Sequence, residues 1–453
     1  MERKIKLRFI RGCAAVAAIL CLAPSGARAG LSLGDCLQET LGRNPELEAQ
    51  RYELSAAGDA IWKAQSALFP QLSGDILTQT LNGVGIGPFN ILNLANADEG
   101  SNGRRTRAKF DTVGAFSLRL SYGIFQNGSI MGLNDAPAVA AARSDRQRQE
   151  WTYKLTEQET EYRLTKAFYQ AVHDQQQQAL DAEKVALSKE RLAILKEQVR
   201  LDLAKPADVD LAQAQLTADQ QALTTSQHLA WQSTASLCAL LGRKTDPSIT
   251  LDSTEPRIPP VPALPALLET TKSSHPAVGV QRAKIDMAHE DWRLARSAML
   301  PTVKLDSGFT EATDFQRADA NLFTVGVSVE VPIFDFGHRQ AATRESHNKL
   351  LAQQSRMHQV EDDLQVSLIA AVGALHLTES KLANLQRDYV AAKNKATLVE
   401  TQRELGMINQ IDVVDAKLEL LTVTEALNLQ KLAQRLQYAN LQNVTGGLWK
   451  WRR

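Results

Sequence analysis

An excess of charge of either sign is missing from this 453-residue chain, in which 51 Lys and Arg balance 51 Asp and Glu for a formal net charge of +0. The charges are also dispersed, so nothing points to nucleic acid or to an acidic ligand. Cysteine is scarce: there are four, and Cys13 and Cys21 fall within the first 29 residues. That leaves Cys36 and Cys238, too few for a disulfide framework, and they read as unpaired core residues. The eight histidines include no His-Glu-x-x-His pattern. His338, His347, His358 and His376 therefore read as helix-surface residues rather than metal ligands. Gly83, Gly85 and Gly87 lack the strand-to-helix context of a phosphate loop, so no nucleotide or other cofactor site is expected. Beyond residue 29 no apolar run is expected to reach the ~20 residues of a membrane-spanning helix. If the chain crosses a membrane, it does so as strands.

Residues 1–29 have the composition of a secretory signal: basic Arg3, Lys4, Lys6, Arg8 and Arg11, an apolar Cys13–Ala23 run, then Ala27-Arg28-Ala29 before Gly30. Leu20 before Cys21 is not the small residue that a lipid-anchor signal wants, so no lipidation is expected. Export would make a Cys36–Cys238 disulfide chemically possible, but the wide sequence separation favours unpaired thiols.

What is present is a duplication. Asn44-Pro45 and Phe69-Pro70 bracket one helical stretch, and His275-Pro276 and Leu300-Pro301 bracket another; between them Gln50/Gln281, Arg51/Arg282, Ala57/Ala288, Ala64/Ala295, Ser66/Ser297 and Ala67/Ala298 coincide at an offset of 231. Further on, Ile124-Phe125-Gln126-Asn127-Gly128 matches Ile333-Phe334-Asp335-Phe336-Gly337 at 209, and Asp208-Val209 matches Asp412-Val413 at 204. Such a repeat is far longer than solenoid units of roughly 20–50 residues. The chain therefore divides into a first repeat over 30–248, a Pro-rich connector over 249–270 and a second repeat over 271–453.

Each repeat reads helix, hairpin, long helix, turn, helix. The long helices are expected over Pro137–Ala204 and His338–Leu405, each on the order of 100 Å at 1.5 Å per residue. Leu180, Leu187, Ile194 and Leu201 mark a seven-residue stripe on the first, and Leu368, Leu375, Leu382 and Tyr389 mark one on the second, as in coiled-coil seams. Shorter helices are expected over Glu46–Leu68, Ala277–Leu300, Asp208–Leu241 and Asp412–Val444. Strands are expected over Gln71–Thr80 and Ala115–Ile124 (hairpin 71–124), and over Thr302–Glu311 and Phe323–Ile333 (hairpin 302–333). Each is near the 9–11 residues that cross a bilayer when tilted, though a small soluble sheet also fits. Four strands cannot close a barrel and lipid tolerates no open edge, so spanning requires oligomerisation. The Gly/Asn-rich loop Asn82–Lys109, with Arg104, Arg105, Arg107 and Lys109, suits either solvent or anionic lipid heads.

The chain resembles the TolC-like outer membrane factors, that is, the outer membrane efflux protein family. The resemblance is carried by Leu31-Ser-Leu-Gly-Asp-Cys-Leu37, Asn44-Pro45, Ala64-Gln-Ser-Ala-Leu-Phe-Pro-Gln-Leu72, Ala295-Arg-Ser-Ala-Met-Leu-Pro301, Val331-Pro-Ile-Phe-Asp-Phe-Gly337, Leu405-Gly406, Asp412-Val-Val-Asp-Ala416 and Gly446-Gly447-Leu-Trp449. It implies an α+β membrane protein in which three chains, four strands each, close a 12-stranded transmembrane β-barrel, continued by a long antiparallel α-helical coiled-coil periplasmic tunnel. It further implies a non-enzymatic exit duct in the outer membrane of a Gram-negative bacterium, serving tripartite efflux or type I secretion. The implied partners are a second and third copy, outer-membrane lipid, a periplasmic adaptor (membrane fusion) protein and an inner-membrane transporter. Gly446-Gly447-Leu-Trp449 leans toward proton-driven transporters of the RND type.

By the same resemblance, the turns near Lys205–Ala207 and Gly406–Ile411 form the periplasmic tip, and Asp412 and Asp415 constrict the pore there. Three-fold symmetry makes each a ring of carboxylates able to trap cations; Asp412 equally suits a helix first turn. Two departures stand out: Ile408 and Arg403 occupy positions where the family carries latch-forming Arg and Tyr. Arg403 is a candidate partner of Asp208, while Leu211 stands opposite Asp415 and Asp202 opposite Gly406. A non-channel periplasmic or surface coiled-coil protein is the alternative function.

Overall fold

A computed structural model describes residues 30–81, 111–131, 136–244, 249–252, 258–314 and 318–447. The signal segment 1–29, the loop basic residues Arg104 to Lys109, residues 253–257 of the Pro-rich connector and Leu448-Trp449 lie outside the described residues. The chain forms two compact units. One comprises Met1–Asn44, Arg163–Pro259 and Thr378–Leu436; the other Pro45–Tyr162, Pro260–Leu377 and Gln437–Arg453.

The elements run α1 Leu33–Arg43, α2 Pro45–Ser66, β1 Gln71–Leu81, β2 Asp111–Gln126, β3 Ser129–Ile130, α3 Pro137–Arg200, α4 Pro206–Leu240, α5 Leu264–Ser274, α6 Pro276–Ser297, β4 Thr302–Asp314, β5 Ala318–Glu330, α7 His338–Glu404 and α8 Gln410–Val444. Pro45 and Pro276 open the paired helices α2 and α6 because the first helical position has no intrahelical use for an N–H.

Two helices exceed the expectations. At α1, Ser32 and Asp35 form a capping box, Asp35 N–H donating to Ser32 Oγ at 3.2 Å. In the stretch expected as an extended connector, the last proline of the run starts α5 instead, since Pro265 sits in its first turn. Conversely, β5 stops at Glu330 rather than Ile333, because Pro332 cannot donate to a ladder.

In the first unit the core gathers Cys36 from α1, Leu164, Phe168, Tyr169, Ala171 and Val172 from α3, Leu237, Cys238 and Leu241 at the end of α4, and Leu432 from α8. Both cysteines are free and fully buried. Burial, then the neighbouring Glu39 carboxylate, pushes the Cys36 thiol up to about 12, which keeps it protonated and inert.

The seam of α3 differs from expectation. Its buried positions are Asp181, Val185, Ser188, Leu192 and Leu195, spaced four and three, whereas Leu180, Leu187 and Ile194 are half-buried and Leu201 is exposed. The seam holds polar residues because they are satisfied there: Gln177 donates to Asp181 at 3.0 Å, and Ser188 to Asp219 of α4 at 2.5 Å. On α7 the first half of the expected stripe lies on the seam, with Leu368 and Leu375 buried together with Ala371 and Thr378, whereas Leu382 and Tyr389 are half-buried. Contrary to expectation, α7 is also long and apolar enough by composition to cross a membrane, but these buried positions spaced three and four identify a coiled-coil face.

The sheet lies in the second unit. It is antiparallel in the order β1-β2-β4-β5, β3 pairing only the end of β2, so β1 and β5 are edges and the hairpins of the two repeats join through β2 and β4. Register aligns Ile76 with Phe116; Leu118 with Phe309 and Phe323; and Tyr122 with Leu305 and Val327. Direct partners share a face. That face therefore carries Leu72, Ile76, Phe116, Leu118, Leu120, Tyr122, Val303, Leu305, Phe309, Phe323, Val325, Val327 and Val329, interrupted by Thr78, Ser307, Glu311 and Asn321. The other carries Ser73, Asp75, Ser117, Arg119, Ser121, Lys304, Asp306, Thr324 and Ser328, interrupted by Leu77 and Leu322. Phe323, Val325, Val327 and Val329 remain 61–70% exposed, so this apolar face has no cover among the described residues.

The duplicated Ile-Phe motif ends both times in two consecutive left-handed residues, Asn127-Gly128 (φ 53° and 75°) and Phe336-Gly337 (φ 53° and 84°). Asn and Gly accept that conformation readily; Phe does so only under constraint.

Candidate functional site

The paired helical turns of the first unit are built alike despite different residues. Helix α3 ends with Leu203 N–H donating to Gln198 C=O at 2.8 Å, and α7 with Met407 N–H donating to Gln402 C=O at 2.9 Å. Both are six-to-one Schellman closures, which need a left-handed residue just before the donor. Gly406 supplies it at φ 74°, and Asp202 at φ 56°, an acceptable substitute because Asp tolerates this region.

The following helices start alike too. Asp208 accepts from the Lys205 backbone N–H at 3.1 Å, and Asp412 accepts from the Asn409 backbone N–H at 3.1 Å. Each carboxylate thus lies in the first turn, where it also meets the positive end of the helix dipole. Asp412 is exposed all the same, although Val413, Val414 and Ala416 around it are buried.

Asp415 shares the exposed face with Asp412, three residues on. Its Oδ1 lies 2.8 Å from Nε of Arg191 on α3, and one helical turn earlier Gln410 Nε2 donates to Glu190 Oε1 at 2.7 Å. Farther along α8, Lys417 pairs with Glu400 of α7 at 3.0 Å. Beneath these polar ties, Ile411 packs on Val185, Leu192, Leu195, Ala212 and Leu216 of α3 and α4. The start of α8 is therefore held to α3 by an apolar contact, an ion pair and a hydrogen bond. With side chains 29% and 47% exposed, the Arg191–Asp415 pair retains enough solvent to be a weak link, about 1 kcal/mol or less.

The expected Asp208–Arg403 contact does not form. Asp208 turns to its own helix start, and Arg403 is exposed with no ion pair among the described residues. The partners Glu190 and Arg191 escaped the sequence reading. Their signal was positional: they flank seam residues Ser188 and Leu192, where coiled coils place pairing charges. Both turns also present apolar side chains to solvent, Leu201, Leu203 and Leu211 on one and Leu405 and Met407 on the other. Among the described residues no cluster of His, Cys, Asp and Glu could hold a metal ion.

Comparison with known proteins agrees with this architecture. The family model "Outer membrane efflux protein" matches residues 267–447. The chain is 24% identical over 401 residues to outer membrane efflux protein BepC of Brucella suis, covering 87% of this chain and 81% of BepC. It is 24% identical over 442 residues to outer membrane protein TolC of Vibrio cholerae, covering 92% and 91%. Its fold superposes on the CmeC outer membrane channel of Campylobacter jejuni with a TM-score of 0.75 at 14% identity, covering 93% of this chain and 87% of that one.

Proposed function

Because this chain belongs to the TolC-like outer membrane efflux proteins, we propose that it is an outer-membrane exit duct, passively conducting substrate from an inner-membrane transporter and a periplasmic adaptor to the outside. Its family is one of channels rather than enzymes. The observation that carries the reading is the sheet, which offers one largely apolar and one largely polar face, with no cover for the apolar one among the described residues. In water such a face is an aggregation hazard; in lipid it is the required surface, with the polar face lining a lumen.

The open edges β1 and β5 set the stoichiometry. Lipid allows no unpaired edge, so β5 of one chain pairs with β1 of the next. Three chains with four strands each give 3 × 4 = 12 strands and a closed barrel. The adaptor and transporter belong to this proposal, the transporter being of the proton-driven RND type.

At the tip, Asp412 and Asp415 form the pore constriction. Three-fold symmetry turns each carboxylate into a ring, and Asp412 supplies the exposed charge while accepting a backbone N–H. Asp415 plays a second role. Its pairing with Arg191, beside Gln410–Glu190, tethers α8 to α3 and holds the closed arrangement in place of the Arg403–Asp208 link that does not form. Fractionation tests the duct: the protein is expected in the sarkosyl-insoluble outer membrane as a trimer band that dissociates on heating. A soluble monomer would favour the alternative of a non-channel coiled-coil protein.

A further inference from the structure

In the first repeat, Ile124-Phe125-Gln126-Asn127-Gly128 leaves β2 at the end where its partner β4 begins, with Phe125 aligned to Val303. The motif lies there on the helix end that leads into β4: a methyl on Gly128 would sit 3.3 Å from Ser297 Cβ and 3.8 Å from Leu300 Cδ1. Ile124, Phe125, Asn127 and Gly128 are accordingly half-buried.

The second copy of the motif, Ile333-Phe334-Asp335-Phe336-Gly337, leaves the edge strand β5 and lacks that cover. Ile333, Phe334 and Phe336 are 93%, 75% and 93% exposed, and among the described residues a methyl on Gly337 would meet only Gln340 Oε1, at 3.4 Å. The segment is firmly shaped all the same. Asp335 accepts from the backbone N–H groups of Gly337 and Arg339, both at 3.1 Å, and pairs with the Arg339 guanidinium at 3.2 Å. That turn holds the Phe334 and Phe336 rings together, centroids 4.6 Å apart, with Phe336 left-handed at φ 53°. A left-handed phenylalanine is strained and persists where its surroundings over-determine it.

We infer that the missing cover is the next copy of this chain. Ser66 and Phe69 are the counterparts of Ser297 and Leu300 at the offset of 231, and they stand at the helix end that leads into β1, the other edge of the sheet. When β5 of one copy pairs antiparallel with β1 of the next, the end of β5 meets the start of β1, as the end of β2 meets the start of β4 within the chain. The motif of one copy then lies on Ser66 and Phe69 of its neighbour, and Phe69, 57% exposed in the single chain, is covered by the Phe334–Phe336 pair. The residue changes between the repeats suit this difference. Asn127 and Leu300 serve a contact that the chain itself guarantees, whereas Phe336 and Phe69 give the contact between copies a larger apolar area. The contact rests on the trimeric barrel of the duct reading and adds to it a lock outside the sheet, at each boundary between copies.

Crosslinking in isolated outer membranes tests it. Cys36 and Cys238 are fully buried, so the wild-type chain is the blank for a short bis-maleimide. Ser66→Cys combined with Phe336→Cys should give covalent dimers and trimers on a gel of boiled protein. Ser297→Cys combined with Phe336→Cys should give none, because Ser297 is already buried by its own chain. Phe336→Asn, which installs the left-handed residue of the first repeat and removes the ring, should lower the temperature at which the trimer band dissociates; Phe336→Tyr, which keeps the ring, should not. A heat-sensitive trimer in which the Ser66→Cys, Phe336→Cys pair stays unlinked overturns the contact and leaves the duct standing. Labelling of Phe336→Cys by a lipid-borne maleimide in that unlinked trimer would assign the ring to the membrane instead. A protein recovered only as a monomer overturns both the duct and the contact.

Discussion

Replacing Val325 by Lys places a charge in the middle of the uncovered apolar face, where Val325 is 64% exposed within the chain and faces lipid in the proposed assembly. Strands β4 and β5 have 13 residues each. At about 3.3 Å per residue and a tilt of about 40°, each rises about 33 Å, enough to cross an apolar band of roughly 25 Å with Val325 near its middle. A Lys on the lipid face at that depth costs about 2–4 kcal/mol per chain. Three symmetric copies make this roughly 6–12 kcal/mol per barrel, comparable to the whole stability of a small domain. Thr324→Lys is the matched control, because period two turns its side chain to the polar face, where it exchanges one weak bond to Gly308 C=O at 3.4 Å for a wetted charge. Outer-membrane level, the dissociation temperature of the trimer band and urea unfolding in lipid vesicles report both variants. Val325→Lys should abolish or sharply destabilise the membrane form, and Thr324→Lys should stay near wild type. Equal tolerance of both, or the reverse order, would refute the assignment of faces.

Asp412→Ala removes the carboxylate bonded to Asn409 N–H, so α8 should lose about 1 kcal/mol of local stability, visible as faster amide exchange in its first turn, while single-channel conductance rises and block by multivalent cations weakens. Arg191→Gln should raise the open fraction of the channel more than Lys417→Gln does, because only the former frees Asp415 from α3; bilayer recordings compare them. Gly279→Ala drives a methyl to within 2.3 Å of the Trp151 ring and should cost about 1–3 kcal/mol by thermal unfolding, with relief when Trp151 is changed to Leu. His275 is buried and its Nδ1 accepts from Ala277 N–H at 3.1 Å, capping α6. Burial lowers its pKa, outweighing its bond to Asn443 C=O, so the unfolded chain binds this proton more readily. The contribution is complete above about pH 6.5 and is lost as pH falls through the depressed folded value. Denaturant titrations from pH 7.5 to 5 should show that decline, and His275→Asn, a cap that does not titrate, should flatten it.

Strong local chemistry made part of this molecule legible beforehand. Proline pairs bounded α2 and α6, and alternation in Phe323–Val329 exposed β5 together with its apolar face. The α3 seam was misread because counting apolar residues passes over Asp181 and Ser188, which are buried only through bonds to Gln177 and to Asp219 on another helix. At the tip, the first-turn role of Asp412 is local and could be foreseen, since its partner lies three residues away. The Arg191–Asp415 pair could not, because it joins positions more than two hundred residues apart, and charge at a flanking position does not name its partner. Arg403 and Asp208 failed as a pair for the same reason that Asp208 matches Asp412: the helix start claims the carboxylate first.

Planar-bilayer recording of the purified, heat-sensitive trimer tests the central claim most directly. The account predicts discrete single-channel steps, small in the wild type and larger once Asp412 and Asp415 are both replaced by Ala. A trimer that inserts yet passes no current in either form, or a protein recovered only as a monomer that never inserts, would contradict it.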